Sequence, residues 1–181
     1  MGEFDLAGTN IKFESSADLF SPKNLDRGSE LLLKCLVNSE YKTALDWGCG
    51  WGAMALWLAK YRPDAKVTAI DSDIAAIKAA NINKESNGLA NLNIIASHGF
   101  SELEAEARFD LIVSNPPTHR GRDVVDGMIA QSRTRLNPNG RLVLVVEARI
   151  KPWVARQMKE VFGDYKILQR GPKHVVLLAQ N

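Results

Sequence analysis

The stretch Leu45-Asp46-Trp47-Gly48-Cys49-Gly50-Trp51-Gly52-Ala53 decides how the rest of the chain is read. It joins a short apolar run, Thr43–Asp46, to a stretch of helical period, Ala53–Lys60. Its glycines therefore sit in a strand-to-helix turn, where they allow positive φ and let backbone approach a ligand closely. Outward from this turn the same alternation recurs. Apolar runs lie at Lys66–Asp71, Leu92–Ser97, Phe109–Ser114 and Arg141–Val146. Near-continuous apolar segments of this length suit parallel strands covered on both faces. Between them lie helical stretches. Leu32, Cys35 and Leu36 mark one before the turn, and Ile74, Ile77 and Ala80 mark another, which ends at Asn87-Gly88. Val125, Met128, Ile129, Ser132 and Leu136 share one face of a fourth, which stops before Asn137-Pro-Asn-Gly140. A fifth starts at Pro152 and buries Val154, Met158, Val161 and Phe162. Tyr165–Gln169 and His174–Ala179 are joined closely enough to pair as a hairpin.

Strand and helix in alternation predict an α/β, Rossmann-like, doubly wound fold. The sheet is expected to be seven-stranded and mostly parallel, with a C-terminal antiparallel hairpin strand. A nucleotide-like ligand then sits beyond the carboxyl ends of the first strands. Residues 1–28 read as an irregular N-terminal extension near that opening, and 29–181 as the domain proper.

The chain of 181 residues is long enough to bury a core without disulfide or metal staples. No apolar run approaches the roughly 20 residues that span a bilayer. Met1–Asn10 lacks the layout of a signal peptide, and the two cysteines, Cys35 and Cys49, lie in core-like segments. A cytoplasmic setting is the expectation. Charge is uneven: Arg120–Lys173 holds twelve Lys or Arg against five Asp or Glu, within a total of +2. Such a basic half suits a polyanion, though a solvated face reads equally well.

The glycine turn admits two ligands. Gly48, Gly50 and Ala53 also satisfy the dinucleotide fingerprint, and Asp71, at the end of the second strand of the repeat, would hold ribose hydroxyls in either case. Asp46 separates the two. Its carboxylate would repel a pyrophosphate but attract the positive ammonium and sulfonium of S-adenosylmethionine. With Gly52 as a third glycine, the residues favour the methyl donor. Cys49 belongs to this cofactor loop as a small filler rather than a nucleophile. His98, after the third strand of the repeat, is placed near the adenine, whereas Trp47 and Trp51 read first as core.

The fourth strand ends in Ser114-Asn115-Pro116-Pro117-Thr118-His119. Two prolines cannot continue a central strand, so the chain leaves the sheet at Asn115, beside the glycine loop. An exocyclic amine on a base is a poor nucleophile, because its lone pair is delocalised into the ring. Two acceptors, the Asn115 side-chain oxygen and the Pro116 carbonyl, would take its N–H bonds and turn the lone pair toward a methyl-bearing sulfur. Orientation and electrostatics then supply the rate, without a strong base. His119 is a candidate for the last proton or for phosphate. No metal-ligand spacing, nucleophile elbow or Walker motif is present in the sequence.

At these residues the chain resembles the catalytic half of RsmC-type methyltransferases, which modify guanine N2 of small-subunit ribosomal RNA, and their compact archaeal single-domain relatives. The likeness begins with Leu19-Phe20-Ser21 and Leu25-Asp26-Arg27-Gly28-Ser29-Glu30-Leu31-Leu32-Leu33. It runs through the glycine loop and Ala96–Ser101 to Phe109–Pro117, with His119 and Gly121. The resemblance implies a class I methyltransferase fold and S-adenosylmethionine as cofactor. It implies that Asp46 and the glycines Gly48, Gly50 and Gly52 meet the methionine part and that Asp71 binds ribose; Cys49, Ser72 and His98 complete the expected cofactor-binding set. Asn115, Pro116 and Pro117 would hold the amine, with Asn115 also touching the donor. Phe20, Asp26 and Ser29 would close the cofactor pocket or shape substrate entry. Thr118 stands where bacterial members usually carry Phe, so base stacking must come from elsewhere or the acceptor differs. The position of His98 is often Asn or Asp in relatives. The extra N-terminal lobe of two-lobed bacterial members is also missing from this sequence.

The partner expected on this basis is RNA, ribosomal RNA first, with Thr118, His119, Arg120, Arg122, Arg149 and Lys151 on the substrate side. Neither membrane nor metal is expected. Transfer RNA guanine, adenine N6 in DNA and the side-chain amide of protein glutamine remain open as acceptors. So does a non-catalytic RNA- or nucleotide-binding domain.

Overall fold

A computed structural model describes residues 2–14, 25–118 and 121–181. Seven strands form one sheet in the order β5-β4-β3-β6-β7-β9-β8: β3 is Thr43–Trp47, β4 Lys66–Asp71, β5 Leu92–Ala96, β6 Phe109–Ser114, β7 Leu136–Glu147, β8 Lys166–Arg170 and β9 His174–Gln180. The pairs from β5 to β7 are parallel, and β9 runs antiparallel to both β7 and β8. The expected mostly parallel sheet with a closing hairpin is therefore what the chain forms. Strand order reverses beside β3, since β4 follows it on one side and β6 pairs on the other. A crevice opens past the carboxyl ends of strands at such a point.

Among the described residues, five helices cover the sheet: α1 Arg27–Leu36, α2 Ala53–Tyr61, α3 Ile74–Ser86, α4 Arg122–Arg135 and α5 Lys151–Phe162. Local chemistry sets their ends. Asp26 caps α1 by accepting from the Gly28 and Ser29 N–H groups, and Asp73 caps α3 through Ala75. Beyond α3, Gly88 takes φ +64°, the left-handed stop that Asn87-Gly88 advertises. Pro152 lies in the first turn of α5, where a missing N–H costs nothing. Leu32, Leu36, Trp57 and Ala80 fill the core on one face of the sheet; Ile129, Val154 and Met158 fill it on the other.

Three features depart from the reading of the sequence. Residues 2–13 are not irregular. They form a hairpin, β1 (Gly2–Leu6) and β2 (Thr9–Phe13), turning on Ala7 and Gly8, both at positive φ. Helix α2 is not amphipathic: Met54 to Ala59 are all buried, because the hairpin covers the face turned away from the sheet. Leu6, Ile11 and Phe13 join that core, and the Trp57 indole N–H donates to the Leu6 carbonyl at 3.1 Å. Leu136 leaves the helical face assigned to it and starts β7 opposite Phe109; the ladder shifts register across Asn137–Gly140 before resuming at Arg141.

The hairpin is locked down by two asparagines. Asn87 exchanges hydrogen bonds with the backbone of Lys12, and Asn83 does the same with Glu14. Four residues of helix advance about 6 Å and two residues of strand about 6.6 Å, so side-chain amides on α3 serve the β2 edge like a neighbouring strand.

Candidate active site at the reversal of strand order

The crevice at the β3/β6 junction is a cleft of about 850 Å³. Four pieces of chain build it. The glycine loop after β3 forms its floor, Asp71–Asp73 and Ser97–Gly99 form one wall, Asn115–Thr118 forms the lip after β6, and α4 closes the far side.

The loop is held from below. Gly48 and Cys49 donate to the Ile70 carbonyl at 2.8 and 3.0 Å, and the Gly50 N–H donates to Asp71 Oδ2 at 2.9 Å. A Cβ at Gly48 or Gly50 would meet no atom within 4 Å, so packing does not demand glycine there. Their φ values of +79° and +55° do, and the open space leaves bare backbone facing the cleft. Asp71 also accepts from the Asp73 N–H at 3.0 Å, which fixes its carboxylate at the cleft wall beside exposed Ser72 and exposed His98.

Asp46 lies elsewhere than the sequence suggests. It is fully buried beneath the loop and is not on the cleft wall. One oxygen accepts the Ala55 N–H at 2.9 Å, supplying α2 with the cap that Gly52 has no side chain to give. The other oxygen is buried with no hydrogen-bond partner among the described residues. Burial pushes its carboxyl up to about 7, opposed by the Ala55 hydrogen bond and reinforced by the charge of Asp71. A buried carboxylate with a free oxygen beneath a glycine loop suits a cationic ligand. Cys49 Sγ is buried too, and burial raises its thiol well above the ordinary range, away from nucleophile chemistry.

At the lip, the Asn115 side-chain N–H2 donates to Asp26 Oδ1 at 3.1 Å and to Ser29 Oγ at 3.2 Å. No described residue donates to Asn115 Oδ1. The Pro116 carbonyl accepts the Thr118 N–H at 2.8 Å and keeps one lone pair. Asn115, Pro116, Pro117 and Thr118 all line the cleft, as does Ser29. Of the basic residues assigned to substrate, Arg149 lines the cleft and pairs with Glu147 at 2.6 Å. Arg122 and Lys151 do not line it. Arg122 pairs with Asp126 and lies over Trp153, and Lys151 lies over Tyr165. Phe20, His119 and Arg120 fall outside the described residues.

Several lining residues escape a reading of the sequence. His174 was assigned to the terminal hairpin alone, yet it faces the cleft from the start of β9. Glu147 and, from α4, Asp123, Val124, Met128 and Gln131 do so as well. Only pairing of β9 against β7 brings His174 opposite Glu147, and nothing local signals it. Trp47 packs edge-on against Phe100 while forming part of the wall, and Trp51 stacks on Phe13 at 4.4 Å in the core. Among the described residues, the wall carries carboxylates at Asp26, Asp71, Asp73, Asp123 and Glu147 against one guanidinium, Arg149. Among the described residues, no group of His, Cys, Asp or Glu is placed to hold a metal ion.

The fold and this cleft define a Rossmann-like, class I methyltransferase. The chain belongs to the methyltransferase small domain family, whose model matches residues 10–178. It is 30% identical over 179 residues to an uncharacterized Bacillus subtilis protein, YbxB, covering 98% of this chain and 89% of that one. It is 34% identical over 176 residues to ribosomal RNA small subunit methyltransferase C of Haemophilus influenzae, covering 95% of this chain but 52% of the relative. The chain thus spans about half the length of those ribosomal RNA enzymes. Among solved structures it superposes with a TM-score of 0.87 and 30% identity on Thermus thermophilus 16S rRNA N2 G1207 methyltransferase, RsmC, in complex with AdoMet and guanosine, covering 99% of this chain and 49% of that one. A Pyrococcus furiosus methyltransferase, 21% identical with a TM-score of 0.77, covering 94% of this chain and 88% of its own, shares the fold.

Proposed function

We infer that the chain binds S-adenosylmethionine in this cleft and transfers the methyl group to an exocyclic amine of RNA, guanine N2 of small-subunit ribosomal RNA in the first instance. The observation that carries the reading is convergence. Bare glycine backbone, a wall carboxylate at Asp71 and an amide oxygen at Asn115 without a donor among the described residues meet in one cleft. The acidic lining argues against a pyrophosphate and for a cationic ligand.

S-adenosylmethionine supplies a methyl group on a sulfonium, which leaves as a neutral thioether. This chain's part is to bind and to orient. Asp71 is fixed to accept from ribose hydroxyls, and His98 and Ser72 flank the same wall. Asp46, with one oxygen free, offsets positive charge above the loop. Asn115 Oδ1 and the second lone pair of the Pro116 carbonyl accept the two N–H bonds of the incoming amine and present its nitrogen lone pair to the methyl carbon. The same two acceptors would steady the positive charge that methylation places on the amine nitrogen, whose proton would then pass to water. Preorganised dipoles of this kind are worth about 10²–10³ in rate each. The base enters the acidic cleft while phosphates remain at the rim, where Arg149 stands. Thr118 bounds the entry without offering an aromatic face. The setting is cytoplasmic on this reading; among the described residues, no helix is long and apolar enough to cross a membrane.

Calorimetry tests the ligand. S-adenosylmethionine and its demethylated product are expected to bind at micromolar concentration and NADH not at all. Preference for NADH would overturn the reading. Incubation with labelled donor then separates RNA, DNA and protein acceptors.

A further inference from the structure

We propose that Asp26 is a positioning residue for the reaction: its carboxylate, with the Ser29 hydroxyl, fixes which way the Asn115 amide faces. The inference rests on the methyltransferase reading above and deepens it. An amide side chain has two ends of nearly equal shape, and only its oxygen end serves to accept N–H bonds from an amine. A rotation of the amide by half a turn would present N–H2 to N–H2 and abolish the grip.

The geometry prevents that rotation. Asp26 Oδ1 lies 3.1 Å and Ser29 Oγ 3.2 Å from Asn115 Nδ2, so both amide hydrogens are engaged by the first turn of α1 and its cap. A carboxylate only accepts, so the end of Asn115 that faces it must be the N–H2. The same Oδ1 accepts from the Gly28 and Ser29 N–H groups at 2.9 and 3.2 Å, which ties it to the first turn of α1. It cannot swing away without uncapping that helix. Ser29 is 5% exposed, so water does not compete for the contact. Gly28 makes the junction possible. A Cβ there would stand 3.1 Å from Asp26 Oδ1, 3.5 Å from Asn115 Nδ2 and 3.3 Å from the His174 ring. The Asp26-Arg27-Gly28-Ser29 turn is thus a clamp for the amide, 89 residues distant in sequence from it.

The test uses substitutions that separate capping from clamping. Serine caps a helix as well as aspartate does, but its short hydroxyl is taken up by the cap. Asp26→Ser is therefore expected to keep thermal stability while kcat on small-subunit ribosomal RNA, measured at saturating donor, falls about 10- to 100-fold. Asp26→Asn retains an acceptor and is expected to recover kcat to within a few-fold. The Asn115 side-chain N–H2 resonances, followed by ¹⁵N NMR, should lie in hydrogen-bonded positions in wild type and Asp26→Asn and move in Asp26→Ser. Undiminished kcat in Asp26→Ser, or resonances indifferent to that change, would overturn the proposal. A wild-type protein that methylates nothing would instead sink the enzymatic reading, and the NMR comparison would still decide the clamp.

Discussion

Asp46 and Ala55 are joined by a hydrogen bond of 2.9 Å, formed between a fully buried carboxylate at the end of β3 and the third N–H of α2. Strand and helix are thereby pinned across the glycine loop by the residue that also brings negative charge beneath it. Because its second oxygen has no partner among the described residues, the charge is only half compensated, and burial raises the carboxyl to about 7. A cation arriving above the loop supplies the missing compensation.

That arrangement predicts a pH dependence of donor binding. The carboxyl sits above its ordinary value of 3.8, so its contribution to stability is full below about pH 4 and lost as pH rises toward 7. A cation selects the ionised form, so affinity for S-adenosylmethionine should rise between pH 6 and 8, by about tenfold per unit at most. Asp46→Asn should weaken binding and flatten the profile in calorimetry. A wild-type affinity constant across this window would contradict the coupling.

Asn115→Ala is expected to act on turnover. Removing an acceptor for the reacting amine should lower kcat by about 100-fold or more, while the donor dissociation constant changes by only a few-fold. Equal losses in both, measured by single-turnover kinetics and calorimetry, would assign Asn115 to donor binding instead.

Stability should depend on Asn83 more than on any charged surface pair. Its buried amide accepts from the Glu14 N–H at 2.7 Å and donates to the carbonyls of Glu14 and Trp51 at 2.9 and 3.0 Å. Asn83→Ala leaves three backbone groups without partners and should cost about 2–4 kcal/mol in denaturant unfolding. Glu30–Lys34 is an exposed helical pair, and Lys34→Ala should cost about 0.5 kcal/mol or less.

Most of the fold was legible because period and punctuation agreed. Five apolar runs, three helical stretches with a start or stop signal and the prolines after Asn115 all pointed to one topology. The hairpin was missed because Ala7-Gly8 is a weak turn signal and its two strands are short. A subtler cue was present, though: Met54-Ala-Leu-Trp-Leu-Ala59 is apolar around its whole circumference, which demands a cover on both sides. At the site, the glycine loop, Asp71 and Asn115 were readable from local motifs. His174, Glu147 and the α4 wall were not, since antiparallel pairing and helix packing decide which residues share the cleft. The depth of Asp46 was hidden for a related reason. Sequence places it before the turn, but only the hydrogen bond to Ala55 draws it under the helix.

Affinity for RNA should carry the mark of phosphate contacts. The net basic stretch Arg120–Lys173 predicts that binding of small-subunit ribosomal RNA weakens steeply as salt rises, with a slope of log K against log salt set by the number of phosphates neutralised. Arg149→Gln should reduce that slope by about one. Affinity indifferent to salt would remove the basic side from the account.

The most direct measurement is nucleoside analysis by mass spectrometry of small-subunit ribosomal RNA incubated with the purified chain and isotopically labelled S-adenosylmethionine, beside the Asn115→Ala variant. The account predicts label in N2-methylguanosine with wild type and almost none with the variant. Label confined to N6-methyladenosine or to protein, no label at all, or equal label from both proteins would contradict it.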